Sequence, residues 1–146
     1  MSVSSVAIQS KSRGATSVPA LVMDLLHCRN QLKLFHWQTS GFGAHKALGD
    51  AVDALDEQTD QLLEVAFPLD KASVKSMASA DTKHGYVNWK SRAATLKYVN
   101  AVIDKLKAAK TSYEGTKLGP IVFIIDEIVG GLLRLAYLLK FDKPKK

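Results

Sequence analysis

Residues 35–65, FHWQTSGFGAHKALGDAVDALDEQTDQLLEV, decide how this chain is read. His36 and His45 stand on either side of a glycine-containing break, and carboxylates follow at Asp53, Glu57, Asp60 and Glu64. Leu48, Val52, Leu55, Thr59, Leu62 and Ala66 recur at spacings of three and four, the signature of one buried side of an α-helix. At about 100° per residue the four acids fall within about 60° of one another, opposite Leu55 and Leu62. Like charges so placed repel by roughly a few tenths of a kcal/mol per pair. Water and salt can offset that repulsion, as on any polar helix face; so can a cation held between acids. Two imidazoles beside the carboxylate pair Asp60 and Glu64, one turn apart, give a mixed nitrogen and oxygen donor set. Such a set suits iron, manganese or zinc better than calcium.

Outward from this stretch the chain reads as four helices. The first is expected from about Ser17, with Pro19 in the first turn, where a missing N–H is harmless. Leu21, Leu25, Cys28, Leu32 and Phe35 form its apolar stripe. Cys28, the single cysteine, belongs to that stripe and reads as a small core residue. Gly41 and Gly43 break the pattern, and the second helix is expected over 44–67, ending before Pro68. Residues 68–86 lack a sustained period and read as a long connection carrying one short helix over 73–80, which lets the chain travel the length of a bundle. The third helix is expected over 88–113, with Trp89, Leu96, Val99, Ile103, Leu106 and Tyr113 inward. The fourth, over 120–141, is apolar nearly all round, which implies burial on several sides or a subunit interface. Gly130 and Gly131 inside it lower helix propensity and suit close approach of another backbone. No strand period and no internal repeat occurs. The expected architecture is all-α: an antiparallel four-helix bundle over residues 17–141 with a long connection between helices 2 and 3.

Composition agrees. The 146 residues are 47% hydrophobic and 23% charged, enough for one domain with a real core. Asp126, Glu127 and Arg134 interrupt the most apolar run; burying each in a bilayer would cost about 2.5–3.5 kcal/mol, so no membrane span is expected. At least one of Asp126 and Glu127 is expected to be poorly solvated, with Arg134 as a partner. The polar segment 1–16 lacks the charged start and apolar core of a secretory signal. The net charge is +6. Basic residues concentrate at the ends, Lys143, Lys145 and Lys146 among them, which suits contact with polyanions such as DNA or a solubilising role. An intracellular soluble protein is the expectation.

The phrase HW at the end of the first helix, a second His near the start of the next, and Asp-x-x-x-Glu fifteen residues later together resemble the Dps branch of the ferritin-like superfamily. These are mini-ferritins that oxidise and store iron, and some coat DNA. The resemblance implies a homo-oligomer, at least a dimer, with a metal site across a two-fold interface. It would place His36 and His45 of one chain opposite Asp60 and Glu64 of its mate, with Trp37 beside the centre; Asp53 and Glu57, on the same acidic strip, are candidates for further ligands or supporting groups. Two departures stand out. His36 and His45 are three residues closer than in the family pattern, and Gly49 stands where members often carry an acid. LFHWQTSGFGAHKALGDAVDAL, with the later IIDEIVGGLLRLAYLL, more specifically resembles small ferritin-like proteins of large DNA viruses. That likeness implies a viral source, virion location and viral structural partners. The rival expectation is a non-enzymatic helical scaffold that keeps the bundle without its iron chemistry and contacts DNA or a capsid protein.

Overall fold

The computed structural model describes residues 17–71, 75–81 and 84–141. Among these it has four long helices, α1 (Val18–Gln38), α2 (Phe42–Leu69), α3 (Arg92–Tyr113) and α4 (Val122–Phe141). Short 3-10 turns lie at Met77–Ala80 and Gly119–Ile121, and no strand occurs among the described residues. The basic ends, with Lys143, Lys145 and Lys146, lie outside the described residues.

Local chemistry sets the helix ends. The Ser17 hydroxyl accepts the Ala20 N–H at 3.2 Å and opens α1. α2 runs one residue beyond Pro68, which the last turn tolerates just before the helix stops. α3 starts later than the expected 88, because Ser91 is the capping residue and accepts the Ala94 N–H at 3.0 Å. The short helix expected over 73–80 reduces, within the described residues, to the turn Met77–Ala80.

The predicted stripes meet in one core. Leu21, Leu25, Cys28, Leu32 and Phe35 of α1 are buried with Leu48, Val52, Leu55 and Leu62 of α2, and with Val99, Ile103 and Leu106 of α3. α4 contributes Ile124, Ile125, Ile128, Leu132, Leu135 and Leu139, while Trp89 and Leu96 pack against the core partly buried. Burying one such aliphatic side chain stabilises the fold by about 1.5–3 kcal/mol before chain entropy is counted. Cys28 is a free thiol inside this core, hydrogen bonded to Tyr98, and burial pushes its pKa up to about 12. It is protonated and inert near neutrality, as expected of a core residue.

α1 packs on α2, α2 on α4 and α4 on α3, while α1 and α3 touch little. The three-residue link 39–41 turns the chain straight back from α1 into α2. The long connection then returns along α1, with Gly85 beside His27, Val87 beside Gln31 and Trp89 beside Gln38. α3 therefore starts at the same end as α2 and runs parallel to it on the bundle diagonal. Each neighbouring pair is antiparallel, with Lys105 reaching Asp24 across α3 and α1 at 3.6 Å. This is a four-helix bundle with a single crossover.

A polar row on α1 holds the crossover. The buried Gln31 amide donates to the Val87 carbonyl at 2.8 Å and accepts the Val87 N–H at 2.9 Å, as a neighbouring strand would. Gln38 accepts the Trp89 N–H at 2.7 Å and donates to Asn88. His27, to which the sequence assigns no role, stacks on Tyr86 and bonds the Gly85 carbonyl at 2.9 Å.

The expectation for Asp126 and Glu127 is corrected. Both are exposed, because nothing among the described residues covers the outer side of α4. Asp126 pairs with Lys110 at 2.9 Å, across α3 and α4, rather than with Arg134. Its carboxylate holds the Lys110 ammonium above its usual range. No helix is long and apolar enough to cross a membrane among the described residues.

Candidate metal centre

The α1–α2 corner brings His36 and His45 face to face. His36 lies two residues before the end of α1, and His45 in the first turn of α2, so the tight link 39–41 stacks their rings. The ring centroids are 3.9 Å apart and the planes differ by 18°. His36 Nδ1 lies 2.7 Å from the His45 carbonyl, and His45 Nδ1 lies 2.8 Å from the His36 carbonyl. A carbonyl oxygen can only accept, so each Nδ1 must carry the proton. In neutral imidazoles this leaves both Nε2 atoms unprotonated, each with a lone pair. Metal-binding histidines are oriented in the same manner, one nitrogen donating to a carbonyl while the other ligates.

Gly49 is part of this arrangement. A Cβ at this position would lie 2.8 Å from His36 Cε1 and 3.1 Å from Nδ1, closer than carbon atoms approach. The absent side chain at 49 is the space that the His36 ring fills. His45 stacks on His36 across this corner.

His36, His45, Gly49, Asp50 and Asp53 line an open cleft of about 300 Å³, with Lys33 and Lys46 at its rim. Lys46 bonds Asp50 at 3.4 Å, leaving Asp53 as the acid on this wall with no ion-pair partner among the described residues. Two large aromatic rings stand beside it in solvent, Phe42 at 77% and Trp37 at 64% exposure. Trp37 does not enter the cleft; its ring lies 5.6 Å from the Lys33 ammonium.

Of the other predicted ligands only Asp53 reaches this cleft; Glu57, Asp60 and Glu64 lie further along α2. Asp53, Glu57, Asp60 and Glu64 are all exposed along α2, and none has an ion-pair partner among the described residues. Asp56, just off the strip, is taken by Arg29 through two bonds at 2.9 and 3.3 Å. Asp60 is fifteen residues beyond His45, or about 22 Å along the helix at 1.5 Å per residue. One chain therefore joins the two histidines and keeps Asp60 and Glu64 apart from them. No group of three or more His, Cys, Asp or Glu able to hold a metal ion forms among the described residues.

Sequence reading found both histidines and missed their bonding partners, which are backbone carbonyls common to all residues. Gly49 was the available signal: a glycine one turn after a histidine, inside a helix of otherwise good formers. Compared with known proteins, the chain matches no family model, no curated protein and no solved structure.

Proposed function

We propose that this chain is a metal-binding bundle of the Dps-like kind, taking ferrous iron as substrate at a site completed by a second copy. The observation that carries the proposal is the reciprocal pair of histidine-to-carbonyl bonds, which leaves two Nε2 lone pairs at one corner of the bundle. The single crossover connection is that of ferritin-like bundles and supports the same reading. A dimer could complete the site: a two-fold axis placed across α2 near Asp53, midway between His45 and Asp60, would set the histidine corner of one copy opposite the Asp60–Glu64 end of the other. The exposed rings of Trp37 and Phe42 would be covered by that contact.

In this reading His36 and His45 supply nitrogen donors that favour the ferrous ion, while Asp60 and Glu64 of the second copy supply the harder oxygen donors that stabilise ferric product. Asp53 and Glu57 raise the local concentration of cations along the approach. Two ferrous ions give one electron each to hydrogen peroxide, which takes up two protons and leaves as two waters. Manganese and zinc are the alternative ions for the same donor set.

The test is anaerobic titration of ferrous iron into the purified protein, followed by peroxide. Binding and oxidation should both fall at least about tenfold in His36→Ala and Glu64→Gln, the usual cost of losing a ligand or its support. Iron binding that neither variant changes would refute the proposed site.

A second reading rests on the same bonds. The stacked imidazoles also clamp the end of α1 to the start of α2, so they serve equally in a scaffold without redox chemistry. Such a scaffold could associate with viral structural proteins, or with DNA through basic ends that include Lys143, Lys145 and Lys146. It would lose stability in His36→Ala without ever having bound metal. Its DNA binding would fall steeply with salt and weaken on removal of residues 143–146.

A further inference from the structure

We infer that the outer face of α4 is a self-complementary docking surface for a second copy of this chain, independent of the metal chemistry at the α1–α2 corner. Phe123, Glu127, Gly130, Arg134, Tyr137 and Phe141 follow one another at spacings of four and three along one side of this helix. Phe123, Tyr137 and Phe141 are 76%, 57% and 61% exposed, and nothing among the described residues covers them. Tyr137 and Phe141 already pack edge to face with ring centroids 4.7 Å apart, so this end is a preformed apolar ridge. At the centre stands Gly130, where an added Cβ would meet nothing within 4 Å.

The order of these residues selects the occupant. In a two-fold contact the same patch meets itself, so residue i faces j while j faces i. With antiparallel α4 helices crossing at Gly130, Glu127 of one copy falls opposite Arg134 of the other, and Phe123 falls opposite Tyr137. Both acid–base pairs and both aromatic pairs form from a single axis. Within one chain Glu127 and Arg134 have no ion-pair partner among the described residues. Arg134 shares a groove with Asp50 without bonding it. Asp126, on the flank, is already held by Lys110 and does not compete. The glycine at the crossing lets the two backbones approach, which brings side chains on either side into reach. If each ring hides on the order of 100 Å², six rings cover about 600 Å², less than an obligate dimer needs. The association is therefore concentration-dependent.

Sedimentation velocity on the full-length, metal-free chain over a wide concentration range tests this. The wild type should shift toward dimer as concentration rises. Glu127→Arg and Arg134→Glu should each weaken association about tenfold or more, while the double reversal Glu127→Arg/Arg134→Glu should recover it to within about threefold. Circular dichroism shows whether each variant remains folded, and recovery in the double variant excludes a folding defect as the cause. A wild type that stays monomeric up to about 1 mM would overturn the inference. So would association that both single reversals leave unchanged, which is the behaviour of a dimer formed through the α1–α2 corner alone. A double reversal no better than the singles would overturn it as well.

Discussion

Replacing Gly49 by alanine separates the histidine geometry from the stability of the fold. Alanine in a helix interior is favoured over glycine by about 0.8–1 kcal/mol. Against that gain, the new Cβ would sit 2.8 Å from His36 Cε1 and 3.1 Å from Nδ1. Carbon atoms rest about 3.5–4.0 Å apart, so the ring edge must retreat by roughly 0.7 Å or more. A retreat of that size stretches the 2.7 Å bond to the His45 carbonyl and disturbs the 3.9 Å stack. Losing one such bond costs about 0.5–1.5 kcal/mol. The two effects nearly cancel, so urea unfolding should give a stability within about 1 kcal/mol of wild type. Metal affinity should nevertheless fall by about tenfold or more, because the orientation of a ligating imidazole is lost. Long-range proton–nitrogen NMR reads the tautomer of each ring and should show the Nδ1–H form of His36 no longer uniquely populated. Gly131→Ala, where an added Cβ meets nothing within 4 Å, is the control and should gain about 0.5–1 kcal/mol with no change in either histidine. Unaltered tautomers and unaltered metal affinity in Gly49→Ala would refute the reasoning.

Three further outcomes follow from other parts of the structure. Gln31→Leu strips both hydrogen bonds from Val87 and should cost about 1–3 kcal/mol in urea unfolding, with faster hydrogen exchange at Val87 and Trp89; exchange unchanged at both would show that the crossover is held by other contacts. Burial pushes the pKa of Cys28 from 9.0 to about 12, and that of Tyr113 from 10.0 to about 12. Both groups are neutral when protonated and the unfolded chain releases their protons first, so their contribution is complete below about pH 9 and is lost as pH rises toward 12. Urea midpoints should therefore decline from about pH 9 upward, and Cys28→Ala should lessen the early part of that decline; a flat profile between pH 9 and 11 would contradict the burial of the thiol. Glu64→Gln should slow peroxide-dependent iron oxidation while leaving the thermal midpoint within a degree or two, since Glu64 is exposed and unpaired among the described residues; a fall in stability equal to the fall in oxidation would point to a folding role instead.

The bundle was legible in the sequence because helix periodicity is a local property. Leu21 through Phe35 and Leu48 through Leu62 needed only their spacing to be placed inward, and they are buried. Helix ends were legible where a capping hydroxyl stood in a plain context, as at Ser17. They were less so at Ser91, where Trp89 looked like an inner helical residue while its N–H was bonded to Gln38, 51 positions away. Asp126 misled because the run around it and Glu127 is apolar, while its neighbours in space are Lys110 and solvent. α4 is apolar on two sides for two reasons, one the core and the other a face the described residues leave open, and composition alone does not separate them. The site divides in the same way. His36 and His45 could be picked out as residue types; the bonds that orient them run to carbonyls, and the space that admits them is the missing side chain of Gly49. Asp60 and Glu64 sit on a visible strip, yet one helix keeps them far from the histidines, and only the proposed second copy would bring them together.

The most direct measurement is a crystal structure of the iron- or zinc-loaded protein with anomalous scattering recorded at the metal edge. The expected result is a peak within coordinating distance of His36 and His45 Nε2 in one copy and of Asp60 and Glu64 in another, with both Nδ1 atoms still on their carbonyls. A dimer whose paired imidazoles face no carboxylate of the neighbouring copy, with no anomalous peak beside them after loading, would contradict it.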